Sequence, residues 1–278
     1  MSTEAIGTIT PDFQKLLDLA RATAEPQIAH CGSDQQIPYV VIPQDHVVAG
    51  LEHTLGAPTR KRARVTLTDA QSFIDYVNLH VQDGTCLYAN PDDGLFIGVI
   101  DDHRGLSDGA AWREHTARYT CAASTEWKTW DKSNKIRMTQ ADFAQFIEDN
   151  LPDIHAPAAA DILEIARGLQ AKKNVNFASA LRLDNGDVQF TYEDKTEATA
   201  GKGQLKIPEK FVIAIPVFQG GPAYSIEARL RYRIADGQLA MWYDLLRPHK
   251  SREHALDEIR EFISNETQLP ILTGNPGL

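Results

Sequence analysis

Three arginines at alternate positions, Arg229, Arg231 and Arg233, offer the plainest chemistry in this chain. Residues two apart in an extended strand face the same side, so their guanidinium groups point one way. The segment Ala235-Asp236-Gly237-Gln238 reads as a two-residue hairpin, because Asp-Gly supplies the positive φ angles of a type I′ turn. That register sets Arg231 opposite Trp242 and Arg229 opposite Asp244. Such a face can follow a phosphate backbone while the indole stacks on a base. It can equally be a solvated or subunit-facing surface in which Arg229 pairs with Asp244 and Arg231 lies over Trp242. The run Arg60, Lys61, Arg62 and Arg64 poses the same choice. It is either an electrostatic footprint for nucleic acid or a charged strand edge that discourages strand addition.

Asp101, Asp102, His103 and His115 form the one acid–histidine group worth testing for metal. Oxygen and imidazole donors suit zinc, manganese or iron. Adjacent side chains in a strand point to alternate faces, however, so Asp102, His103 and His115 are weak ligand candidates and a hydrogen-bonded anchor is the competing reading. Covalent catalysis has less support. The chain has no G-x-S-x-G elbow, no P-loop and no G-x-G-x-x-G. We therefore expect no catalytic residues, no metal and no cofactor.

The elements that must position these groups follow from periodicity. Outward from Asp236-Gly237, the pairs Ile234/Leu239, Tyr232/Met241, Leu230/Tyr243 and Ala228/Leu245 are all apolar and share the face opposite the arginines. A one-residue slip would mix the two faces. Phe211 to Phe218 is a third apolar run whose Pro216 suits an edge or a bulge. A second hairpin centres on Asn185-Gly186, with Leu183 opposite Val188, Leu181 opposite Phe190 and Ser179 opposite Tyr192. Glu193 to Gln204 reads as a polar loop. Upstream, Thr85 to Asn90 and Leu95 to Ile100 flank Pro91-Asp-Asp-Gly94 as a further hairpin. Helices are expected after Thr10, after Thr68 with Gln71 at capping-box spacing, after Thr139, from Asp161 to Lys172, and after Ser251. Prolines at 152 and 157 mark the best boundary, giving a mixed α/β region over 1–152 and a region over 153–278 built on a five-stranded antiparallel sheet with flanking helices. The class is α+β.

Composition bounds the rest. The 278 residues can bury a sizeable core as one large domain or two smaller ones. A net charge of −10 argues against a surface that grips nucleic acid all over, while leaving room for a local basic patch. Cys31, Cys86 and Cys121 lack metal-like spacing and read as thiols in a reducing compartment. No apolar run approaches membrane-spanning length and the N-terminus has no signal-peptide core, so the expectation is a cytoplasmic protein without a membrane partner.

Several segments recur together in a known order. They are Ile100-Asp-Asp-His103, Trp112 with His115 and Tyr119, Glu126-Trp-Lys-Thr-Trp130, Asp142 to Glu148, Ile207 to Phe218 and Ala228 to Arg233. Over roughly residues 60 to 265 they resemble the YfdQ-like family of uncharacterised phage and prophage proteins. The resemblance implies a phage or prophage origin, the host bacterial cytoplasm, and a setting shared with recombination and early-gene functions. It carries no catalytic residues. The resulting expectation is a non-enzymatic, homo-oligomeric binding or assembly protein that engages nucleic acid or recombination proteins. The alternatives are a protein that occupies or decoys a host defence factor, and a metal-dependent hydrolase built on Asp102, His103 and His115.

Overall fold

The structure is a computed structural model that describes residues 11–24, 27–31, 37–41, 52–104, 109–171, 176–193 and 202–278. The chain divides into two compact units at Lys61/Arg62. In the first, α1 (Pro11–Ala24) precedes an antiparallel ribbon of β1 (Gln27–Cys31) and β2 (Ile37–Val41), with Gln27 opposite Val41. Phe13 and Leu16 of α1 are exposed. The expected cap, Thr10, lies outside the described residues.

The second unit holds three sheets. The first has five strands in the order β15-β4-β5-β6-β3. Its centre is the hairpin of β4 (Cys86–Asn90) and β5 (Leu95–Val99), where Gly94 takes a φ of 62°. β6 (His115–Thr120) pairs antiparallel to β5, while β3 (Ala63–Leu67) and β15 (Ile271–Thr273) add parallel strands at the edges. Two helices, α2 (Ala70–His80) and α6 (Pro248–Thr267), contact each other over one face. Phe73, Ile74 and Val77 of α2 meet Leu87, Phe96, Ala117, Leu256 and Ile263 in a single core. The helix seats closely on Gly98, where an added β-carbon would lie 3.2 Å from both Val77 Cγ2 and Leu87 Cδ2. Two caps differ from expectation. Asp69, not Thr68, accepts the Ser72 N–H at 2.7 Å, its carboxylate being the stronger acceptor. The last helix starts at Pro248 after Arg247 at φ 52°, so Ser251 lies inside it; proline is well suited to a first turn.

The second sheet is antiparallel throughout, in the order β7-β14-β13-β12-β8. Its main strands are β12 (Lys210–Pro216), β13 (Ala223–Ala235) and β14 (Gln238–Leu245), flanked by the short β7 (Met138–Thr139) and β8 (Ile154–Ala156). The β13–β14 register is the expected one at every pair, from Ala228/Leu245 to Ala235/Gln238, and Asp236 and Gly237 take φ angles of 52° and 73°. The inner face packs on α3 (Thr125–Ser133), α4 (Gln140–Asp149) and α5 (Ala159–Ala171). Trp130 is fully buried there, in ring contact with Phe146, Phe211 and Tyr243. Its indole N–H donates to Asp153 Oδ2 at 2.7 Å, and its carbonyl accepts from Tyr243 Oη at 2.6 Å.

Four expectations are corrected here. The strands expected in one C-terminal sheet are divided between two, because β9 (Asn176–Arg182), β10 (Val188–Glu193) and β11 (Lys202–Ile207) form a separate sheet. Residues 202–207, placed in a polar loop, are a strand; 194–201 lie outside the described residues. The β9–β10 register is one residue off the expected one, with Phe190 opposite Ala180 rather than Leu181. The loop has three residues, Asp184 to Gly186, closed by Leu183 N–H to Asp187 O at 2.8 Å and ending at Gly186 with φ 91°. The slip turns Leu181 outward, 61% exposed. Finally, β12 is not an edge. β8 pairs with Val212 and Ile213, and residues 122–124 bond to Val217 and Gln219. Elements on both sides of residue 152 thus share the second sheet.

This packing makes two stability changes predictable. Gly237→Val places a β-branched residue at positive φ and is expected to cost roughly 1–3 kcal/mol, read as a lower denaturation midpoint. The second concerns Asp153, whose carboxyl burial raises above its ordinary value, the Trp130 N–H opposing and Glu126 adding to the shift. A raised folded pKa contributes stability that is present at acid pH and lost as pH rises through the folded value. Asp153→Asn keeps an acceptor for the indole. It should melt higher than the parent near neutral pH and lose that advantage below the ordinary aspartate range.

Candidate nucleic-acid interface

Alternation along β13 sends Ala228 and Leu230 into the core and Arg229, Arg231 and Arg233 to the opposite face. The register adds neighbours on that face: Lys210 beside Arg229, Trp242 beside Arg231 and Ala240 beside Arg233. Arg233 is exposed, while Arg229, Arg231 and Trp242 are half-buried. The pairing inside this face is shifted from the expected one. Arg231 Nε, not Arg229, bonds Asp244 Oδ2 at 2.9 Å, a diagonal contact within reach of a long side chain. Arg229 Nε is buried without a hydrogen-bond partner among the described residues. The cation over Trp242 is Arg137, whose Cζ lies 5.1 Å from the ring centroid. Sequence reasoning misses Arg137 because it enters through β7, where Met138 pairs with Met241. A two-residue strand has no periodicity to read. Lys210 escapes for a different reason, since its neighbour on β13 is visible only once the β12–β13 register is known. Its Nζ lies 3.3 Å from Glu227 Oε2.

The basic run straddles the division between the units. Arg60 and Lys61 belong to the first, while Arg62 immediately precedes and Arg64 lies within β3, an edge strand of the first sheet of the second unit. Arg64 is exposed between the half-buried Ala63 and Val65. Arg62 and Arg64 therefore lie on a different sheet from the arginine triplet.

Asp102, His103 and His115 turn to separate partners. Asp102 is buried, with Arg113 Nε at 2.9 Å from Oδ1, the Tyr88 hydroxyl donating to Oδ2 at 2.7 Å, and the His103 N–H donating at 2.8 Å. Burial, with Asp102 second, raises the Tyr88 hydroxyl well above its ordinary pKa, so it remains a donor. His103 Nδ1 accepts the Ala111 N–H at 2.9 Å. His115 Nε2 lies 2.8 Å from Tyr76 Oη, and Asp101 accepts the N–H groups of Glu114 and His115. No group of three or more His, Cys, Asp or Glu side chains suited to a metal occurs among the described residues. No helix among them is long and apolar enough to cross a membrane.

The family model of an uncharacterized conserved protein, DUF2303, matches residues 12–276. The chain belongs to this family. No curated protein and no solved structure matches it. For this DUF2303 chain the local chemistry is therefore the guide. The Asp102 cluster has the geometry of an anchor, tying the 100–104 segment to β4 and to Arg113. Arg113→Ala strips a buried carboxylate of its counterion and should cost about 3–5 kcal/mol in chemical denaturation. His103→Ala should stay within about 1 kcal/mol of the parent. Added zinc or a chelator should move neither midpoint.

Proposed function

We propose that the protein is a non-enzymatic, phage- or prophage-derived binding protein that holds single-stranded nucleic acid on the outer face of its second sheet. The resemblance of its segments to phage and prophage proteins supports the origin and the link to recombination partners. One observation carries the ligand. In a chain of net charge −10, this one face gathers Arg137, Lys210, Arg229, Arg231 and Arg233 around a half-buried Trp242, with Glu227 and Asp244 as the acids paired to them among the described residues. Arginine forks take phosphate oxygens in pairs, and an indole gives any base a stacking surface. The acidic remainder of the surface favours a second reading, occupation of a nucleic-acid-binding host factor.

The test is Arg231→Glu with Arg233→Glu, assayed against an oligothymidylate strand. Phosphate contact predicts weaker binding and a log–log salt slope flatter by about 0.7 for each phosphate no longer neutralised. A face between subunits predicts instead that the oligomer splits, through buried unpaired charge. Unchanged affinity in a variant that folds and assembles normally removes the nucleic-acid reading and leaves the host-factor one.

A further inference from the structure

The turn between β12 and β13 and the last helix enclose a groove of about 220 Å³ that shares no residue with the arginine face. Its walls are Phe218, Gly221, Pro222 and Tyr224 on one side and Ala255, Glu258, Ile259 and Phe262 on the other. Nearly all of this lining is apolar, with a carboxyl and a phenol as the polar groups. The volume is below the range of drug-sized pockets, so the occupant it fits is a single small apolar body. Phe262 stands at the groove 41% exposed, a large aromatic ring left to solvent.

Glu258 is held in place from two elements. The Tyr224 hydroxyl donates to Oε2, and His254 Nε2 lies 3.3 Å from Oε1. The Tyr224 and His254 rings meet edge to face at 5.8 Å and 79°. Burial, then Glu258 itself, keeps the Tyr224 hydroxyl protonated and so a fixed donor. A carboxylate has about four acceptor sites, and these contacts occupy two.

The arginines and the lysine of α6 nearest to it are turned elsewhere. Arg252 donates to the carbonyls of Pro91 and Asp92, Arg260 to that of Ile271 at 2.7 Å, and Lys250 lies 2.6 Å from Glu253. Glu258 is thus an oriented anion at an apolar groove without a lysine or arginine partner among the described residues. We propose that this groove binds a small aromatic ammonium ion, its ring in the groove and its charged nitrogen on Glu258. Phe262 and Tyr224, both in the lining, are aromatic rings of the kind that attract the same cation.

The test uses 2-phenylethylammonium and its neutral twin, 2-phenylethanol, titrated into the full chain with amide shifts of α6 and the β12–β13 turn as the readout. The amine should give saturable shifts there, with the alcohol at least about tenfold weaker, the scale of one charge-assisted hydrogen bond. Glu258→Gln should bring the amine down to the alcohol. Phe262→Ala alters an exposed side chain and should weaken both. If Glu258→Gln does not fold, the amine–alcohol comparison on the parent decides alone. No saturable shift at the groove, equal binding of both probes, or full amine binding by folded Glu258→Gln overturns the site. Shifts that depend on protein concentration alone mark a second copy in the groove and overturn it as well.

Discussion

The register of β13 against β14 is the constraint on which the second unit rests. A slip of β13 by one residue would drive Arg229, Arg231 and Arg233 into the core around Trp130 and turn Ala228 and Leu230 outward. Burying each cation without a partner costs several kcal/mol. Three such costs are comparable to a whole native stability of about 5–15 kcal/mol, so the slipped states are not competitors. The Asp236-Gly237 turn has only to permit the register that side-chain burial already selects. The core and the charged face are therefore two consequences of one alternation, and neither can be altered without the other.

β12 extends that constraint across the unit. Phe211, Ile213 and Ile215 lie in the core with Trp130, while Val217 and Phe218 lie in the core with Phe73 and Leu256. A strand serving two cores must be paired along its length, since an unpaired buried N–H or C=O is costly. β8 supplies the partners at one end and the 122–124 segment at the other, where the Ser124 N–H reaches Val217 O at 3.0 Å. Lys210 at the start of β12 joins the arginine face, and Phe218 just past its end lines the apolar groove beside Glu258. Both surfaces are thus fixed by the pairing of one strand.

What is readable in the sequence, and what is not, follows the length over which a pattern repeats. The β13–β14 hairpin declares itself through eight consecutive pairs that sort cleanly by polarity, and β4–β5 through two short apolar runs on either side of Pro91-Asp-Asp-Gly94. The Asn185-Gly186 hairpin misleads because a glycine at positive φ serves both a two-residue and a three-residue loop, and setting Leu181 and Leu183 opposite Phe190 and Val188 favours the two-residue register that the chain does not adopt. β7 and β8 are invisible in the sequence, being two and three residues long. Without them Arg137 stays hidden and β12 looks like an edge. The arginine face is legible as a set of residues but not as a set of contacts. Which arginine reaches Asp244 depends on side-chain length and sheet twist, and the one-dimensional register carries neither.

The charge distribution limits how such a face can work. At physiological ionic strength, charges more than about 8 Å from a ligand are largely screened, so a net −10 does not prevent contact with a locally positive surface. It does remove long-range steering, since a polyanion meets the attraction only at close range. Two of the cations, Lys210 and Arg231, are already paired with carboxylates; the exposed Lys210–Glu227 pair is worth about 0–1 kcal/mol, so a phosphate can displace it at small cost. Arg137 must likewise leave the Trp242 ring before a base can stack there. On the nucleic-acid reading, one face would offer a few phosphate contacts and a single stacking site, which makes for weak binding with a shallow salt slope. Several copies on one strand would turn weak single contacts into an avid whole without any new interaction. On the nucleic-acid reading we propose, self-association would be the condition under which a face this small becomes useful.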